Sequence, residues 1–168
     1  PAIAALSSAM QNLIPFILTG SVVFFYNVFR SYIPQLPDLT NISNYSFGMI
    51  GLVAAFMVGH QFMEKFRHPQ YATTAGIVSI CVLMMTLHPI GEKQGVYDLG
   101  RVGPTGILIG VLFGVAIGVI FHFYSKLNFL KNSSLPDFVA NWINNIIPIF
   151  ISLALFATFI FAFKIDVF

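Results

Sequence analysis

The sequence predicts an all-α polytopic membrane protein, and three observations carry that prediction. Of 168 residues 57% are apolar and 8% charged, with a mean hydropathy of +0.85. A water-soluble domain carries about 25% charged residues. The Asp, Glu, Lys and Arg residues also cluster, leaving charge-free stretches at 1–29, 39–63, 68–91, 102–125 and 138–163. Each exceeds the roughly 20 residues that a helix needs to cross a bilayer. Finally, a run such as 107–121, ILIGVLFGVAIGVIF, does not alternate in polarity as a barrel strand would. With no water to satisfy the backbone, helix is the remaining solution.

The expected architecture is five transmembrane helices at about 5–29, 45–63, 71–90, 104–124 and 140–163, in a single domain over 1–168. Turn chemistry separates them. Residues 30–44 hold Pro34, Pro37 and Asp38, and residues 64–70 form a short polar link ending near Pro69. Residues 91–103 hold four glycines and four charges, and residues 125–139 hold Asn132, Ser133, Ser134 and Pro136. Lys and Arg divide evenly between the two sides, with Lys65, Arg67, Lys126 and Lys131 on the amino-terminal side against Arg30, Lys93, Arg101 and Lys164. Lys65 and Arg67 lie in the shortest loop, which leans the amino-terminal side towards the cytoplasm. The chain starts at Pro1 and ends in FKIDVF, and we expect a piece of a longer protein.

The fourth span carries Gly106, Gly110, Gly114 and Gly118, a glycine at every fourth position. They share a face that drifts by about 40° per step. Lipid tails supply no hydrophobic drive for helices to associate, so close backbone approach must do it, and glycine permits that. Gly51, Ala55 and Gly59, after Gly48, repeat the pattern in the second span. Packing within one bundle is the first reading of these stripes, and a seam between two subunits the second.

An internal echo joins the first and last spans. QNLIPFILT (11–19) and NNIIPIFIS (144–152) share an amide pair, an Ile-Pro step and a hydroxyl one turn later. Each proline is expected to kink its helix. Gln11 and Asn12, with Asn141, Asn144 and Asn145, are candidates for polar packing between helices, span five against span one. A sugar hydroxyl is the other group that Asn141, Asn144 and Asn145 suit. Convergent use of a kink is preferred to duplication, although repeats are common in transporters.

Candidates for chemistry are few. No Asp, Glu, Lys or Arg lies inside a span, so a proton relay or ion pathway has no charged carrier. His60, His68, His88 and His122 lack partners at metal-ligand spacing, so no metal site is expected. His60 and His122 come near the amino-terminal-side ends of their spans, where a hydrogen-bonded pair is preferred to a pH-sensitive contact. Cys81 has no partner for a disulfide. Glu64 with Lys65, and Glu92 with Lys93, read as solvated loop charges. No nucleophile–base pair or phosphate loop is present and basic residues are dispersed, so we expect no catalytic residue, no cofactor and no nucleic-acid partner.

Residues 45–85, YSFGMIGLVAAFMVGHQFMEKFRHPQYATTAGIVSICVLMM, resemble the second and third spans of enzyme IIC. This is the sugar-specific membrane component of bacterial phosphotransferase systems, and the lactose/cellobiose/chitobiose branch is the nearest in pattern. Residues 100–127, GRVGPTGILIGVLFGVAIGVIFHFYSKL, are similar to its glycine-rich fourth span, and LPDFVANWINNIIPIFISL (135–153) to its fifth. MQNLIPFILTGS (10–21) resembles the first. Asn141-Trp142 departs from the Ser-Phe usual there.

The resemblance implies a bacterial plasma-membrane permease that moves a disaccharide inward for phosphorylation by a cytoplasmic phosphocarrier component. It implies that these spans are the dimerising scaffold half. The His- and Glu-bearing sugar pocket then belongs to a carboxy-terminal half, so the disaccharide binds mainly outside these residues and no substrate residue is carried over. The implied partners are the lipid bilayer, a second copy, the carboxy-terminal half, the phosphocarrier and the sugar. The alternative is a self-contained five-span oligomeric protein with a structural or assembly role.

Overall fold

The computed structural model describes residues 1–33, 35–87, 99–127 and 137–162, without the side chains of residues 99, 137, 138 and 141. Among the described residues no strand occurs, and the α-helices are α1 (Ala2–Arg30), α2 (Thr40–Tyr45), α3 (Ile50–Lys65), α4 (Ala72–Met85), α5 (Gly106–Leu127) and α6 (Asp137–Ala157). Single 3-10 turns at Phe47–Met49, Pro69–Tyr71 and Leu99–Val102 precede α3, α4 and α5, and a π turn, Thr158–Ala162, extends α6. Ala2–Arg30, Thr40–Lys65, Gly106–Leu127 and Trp142–Ala162 are each long and apolar enough to cross a bilayer. This is an all-helical, multi-pass membrane protein.

The expected second span, 45–63, is matched by the turn at Phe47–Met49 and α3, and the short α2 precedes it, ending at Tyr45 with a break at Ser46. The Ser46 hydroxyl donates to the Ile42 carbonyl at 2.6 Å. Of the third span, expected at 71–90, residues 88–90 lie outside the described residues, while the apolar helix covers Pro69–Met85 and a turn follows at Thr86 and Leu87. There the Thr86 hydroxyl donates to the Leu83 carbonyl at 2.6 Å. The 14 residues of α4 rise about 21 Å. Pro15 and Pro148 both lie inside continuous helices.

Packing places α3 at the centre, with α1 against one side and α4 and α5 against the others, while α6 lies on α4 and α5. Leu13 of α1 meets Ile50 and Ala54 of α3, beside Ile107 and Val111 of α5. The larger core joins Met63, Val82, Ile117, Phe121, Phe156 and Ile160, drawing on α3 to α6. Inner and outer helices separate by burial. Of the most apolar window of each span, 39% is buried in the second span and in α5, but only 17% in α1 and 22% in α6. The outer faces present Phe25, Val28, Ile146 and Phe150 to the surroundings, as lipid-facing helices do.

The link after α3 is set by hydrogen bonds. The Arg67 N–H donates to the Glu64 carbonyl at 3.1 Å and the His68 N–H to the Met63 carbonyl at 3.0 Å. These paired bonds close a helix end whose next residue must take left-handed backbone, normally glycine. Here Arg67 takes it, at φ 63°. The exposed Arg67 side chain gains nothing from that geometry, so Arg67→Gly is expected to stabilise the fold by about 0.5–1 kcal/mol. Denaturant unfolding in detergent measures this, and an unchanged or lowered midpoint would contradict it.

Candidate functional site

The glycine stripe of α5 lies along α3, and the two helices run parallel. Gly51 stands beside Gly106, Ala55 beside Gly110, Val58 beside Gly114 and Phe62 beside Gly118. A methyl group on Gly110 would come within 2.5 Å of the Gly51 carbonyl oxygen, and one on Gly51 within 2.5 Å of the Val102 carbonyl oxygen. One on Gly114 would lie 3.0 Å from the Ala55 carbonyl oxygen. Gly106 is crowded by the Arg101 carbonyl as well. Gly59 does not join this seam. Two turns beyond Gly51 the drift of about 80° has rotated it towards α4, where a methyl would meet Ser79 Oγ at 2.5 Å and the Ala75 carbonyl at 2.9 Å. The glycine face of α5 is thus covered by a helix of its own chain.

The amides are distributed differently from the expected span one–span five seam. Helix α1 packs on α3 and on α2, and α6 packs on α4 and α5. Gln11 and Asn12 are exposed on α1. On α6, Asn144 and Asn145 are half-buried, with the Asn145 amide oxygen buried, while the side chain of Asn141 lies outside the described residues. One turn on, Pro148 and Ser152 are fully buried. The central helices come between the two echoing motifs.

The histidines pair otherwise than expected. His60 stacks on Phe56 at 5.7 Å and sets Nδ1 3.9 Å from a Glu64 oxygen. His122 instead meets the Phe66 ring at 4.5 Å and the His68 ring at 5.6 Å. The reason is angular, since His60 is two residues, about 200°, from Phe62, the residue that faces α5. The parallel seam carries Phe62 onto Gly118 and so Phe66 onto His122 one turn later, and the tight link brings His68 back over both. Spacing along the sequence could not show this without knowing which helices are parallel. With Lys126 5.5 Å over the Phe123 ring, the amino-terminal side ends in an aromatic and basic rim. His88, Glu92 and Lys93 lie outside the described residues. Among the described residues no three His, Cys, Asp or Glu side chains converge as a metal site would require.

At the opposite end, the loop after α1 folds back onto it. Arg30 Nη1 lies 2.9 Å from Asp38 Oδ2, Arg30 Nε donates to the Leu36 carbonyl at 3.2 Å, and the Tyr26 hydroxyl donates to the Pro37 carbonyl at 3.1 Å. Asp38 Oδ1 accepts the Thr40 N–H at 2.9 Å, which anchors the start of α2. Hydrogen bonds from Thr40, and secondarily the Arg30 guanidinium, hold the Asp38 carboxyl below the usual carboxylate range. Beside this loop an open groove of about 440 Å³ is lined by Asn41, Asn44, Tyr45 and the turn at Gly100 to Pro104. Its amides are exposed, so its hydrogen bonds are ones that water already makes.

No model of a known protein family, no curated protein and no solved structure matches the chain.

Two outcomes follow from this geometry. Gly110→Ala forces α3 and α5 apart, because the obstacle is backbone, and should cost about 1–3 kcal/mol in unfolding titrations. Gly48→Ala, whose nearest neighbour would be 3.7 Å away, should leave the midpoint within about 0.5 kcal/mol, and equal effects at both would refute the seam. Asp38 should titrate below an ordinary aspartate when followed by NMR, because of its bonds from Thr40 and the Arg30 guanidinium. Because its folded pKa is lowered, its contribution is full above the unfolded value and is lost as pH falls through the folded one. Arg30→Gln should raise the midpoint by removing the guanidinium 2.9 Å from Asp38 Oδ2, and an unchanged midpoint would contradict the link.

Proposed function

We propose that this chain is the amino-terminal scaffold of a disaccharide permease of the phosphotransferase type, in a bacterial plasma membrane. The observation that supports this reading best is the parallel α3–α5 seam, in which backbone meets backbone and leaves no room for a solute. A pathway at that depth needs ionisable or hydrated groups, whereas a framework needs rigidity. The charge-free stretches carry no Asp, Glu, Lys or Arg. The apolar outer faces of α1 and α6 are suited to lipid and to further helices.

In this reading the sugar pocket is built by a carboxy-terminal half of the same protein, and two copies of the scaffold associate. The phosphocarrier component approaches from the cytoplasm, on the side of Lys65 and Arg67. The chain itself performs no phosphoryl transfer. Its contribution is position: a stiff wall against which a sugar-carrying unit moves.

The test is uptake. Cells lacking their own disaccharide permeases should regain phosphoenolpyruvate-dependent accumulation of cellobiose, chitobiose or lactose when given the complete gene and its phosphocarrier. Residues 1–168 alone should give none. Uptake by residues 1–168 alone would overturn the scaffold reading. A gene that restores no uptake of any of the three would favour the self-contained oligomeric alternative.

A further inference from the structure

The parallel seam gathers basic residues that the sequence scatters. The His68 ring lies 5.6 Å from that of His122; Arg67 directly precedes the one, and Lys126 stands one turn beyond the other. Lys65 ends α3 on the same side. Lys65, Arg67 and Lys126 are exposed, and among the described residues none of the three makes an ion pair. Glu64, the one carboxylate described on this side, is turned to His60 of its own helix at 3.9 Å. Arg67 also takes the left-handed backbone that suits glycine, at φ 63°, so its side chain is present at a cost to the fold. Positive charge is in excess at this rim, and the fold does not meet it.

An apolar track leads to these charges. On α5, Leu108, Leu112, Val119, Phe123 and Lys126 are all exposed, and their spacing sets them within about 60° of one another around the helix. The Lys126 ammonium lies 5.5 Å over the Phe123 ring, at the end of the track. From Leu112 to Phe123 the helix rises about 16 Å, close to half of the ~30 Å hydrocarbon core. Trp142, exposed at the start of the α6 span, marks the polar–apolar boundary on the same side. The cations thus stand at the depth of headgroup phosphates, and the track at the depth of one leaflet's chains.

We propose that this rim binds an anionic phospholipid, its phosphate held by Lys126, Arg67 and His68 and one acyl chain laid along Phe123, Val119 and Leu112. A phosphate offers acceptor oxygens to ammonium, guanidinium and imidazole N–H together. The apolar track separates a lipid from a free phosphate, which gains nothing from Phe123 or Val119. It also separates a lipid from a water-borne protein, which does not reach into the hydrocarbon. The net charge of the headgroup matters, because a zwitterionic lipid carries its own ammonium to compete with Lys126 and Arg67. The inference goes beyond the permease reading and does not depend on it.

The test uses the full-length protein, delipidated in neutral detergent and titrated with phosphatidylglycerol, phosphatidylcholine or glycerol 3-phosphate. Phosphatidylglycerol should bind about tenfold more tightly than phosphatidylcholine, and glycerol 3-phosphate should not compete with it. Lys126→Gln and Arg67→Gln should each weaken phosphatidylglycerol about fivefold, with Lys126→Arg close to the parent. Both should leave phosphatidylcholine binding unchanged, which also reports an intact fold. Arg101→Gln, at the opposite end of the bundle, should change neither lipid. Equal affinity for the two lipids overturns the site, as does a preference that survives both Gln variants or falls equally with Arg101→Gln. Competition by glycerol 3-phosphate makes this a small-anion site and overturns the lipid. Gln variants that bind phosphatidylglycerol normally but lose a co-purifying cytoplasmic protein assign the cations to that partner and overturn the lipid as well.

Discussion

Where Gly110 meets the Gly51 carbonyl, α3 and α5 approach until main chain touches main chain, and the positions of the other helices follow from that contact. In lipid, apolar side chains gain little by leaving the solvent, so helix association depends on how many atoms come into van der Waals range. A side chain at any of these positions would hold the axes apart and forfeit those contacts. With the pair drawn together, α4 closes over Gly59 on the adjoining face and α1 settles on the Ile50 and Ala54 side. Central α3 therefore has three different faces in use. A helix of bulky residues has no such capacity.

This arrangement separates rigid interior from adaptable exterior. The inner helices meet through glycine, alanine and serine at their closest approach and through Met63, Val82, Ile117 and Phe121 around it, while further Phe and Ile side chains lie on the outer faces of α1 and α6. Function placed on such a body belongs at its ends and rims. Beside the His60–Glu64 pair within α3, polar side chains among the described residues meet in the Arg30–Asp38 link at one end and in the His68–His122–Phe66 cluster at the other. Both are built on chain connections, whose geometry the bundle fixes but does not dictate by composition.

Much of the fold was legible in the sequence because lipid imposes a simple rule. Charge-free runs of sufficient length must be helices, and α1, α5 and α6 lie close to the expected spans. The glycine spacing also pointed to a packed face. Illegible were the features decided by neighbours in space. The pairing of His122 with His68, not His60, required the parallel register of α3 and α5. Gly51, Ala55 and Gly59 read as one stripe, yet a four-residue repeat on a 3.6-residue helix drifts, and Gly59 faces α4 while Gly51 and Ala55 face α5.

The two Ile-Pro motifs carry this point furthest. In sequence QNLIPFILT and NNIIPIFIS are near-equivalents, and a reading by residue type gives them one role. Their surroundings give them two. On α6 the proline and the following serine are buried because α6 packs on α4 and α5. On α1 the proline and the following threonine are exposed because α1 turns Leu13 and Gly20, and not the motif, towards α3. Gly20 is buried like Leu13, and a methyl group there would stand 2.5 Å from Phe47 Cβ. Phe24 packs edge-on to the same ring at 5.8 Å, so the turn between α2 and α3 seats Phe47 against this stretch of α1. The two motifs differ in exposure because their helices turn different faces to the bundle, which the residue types alone do not encode.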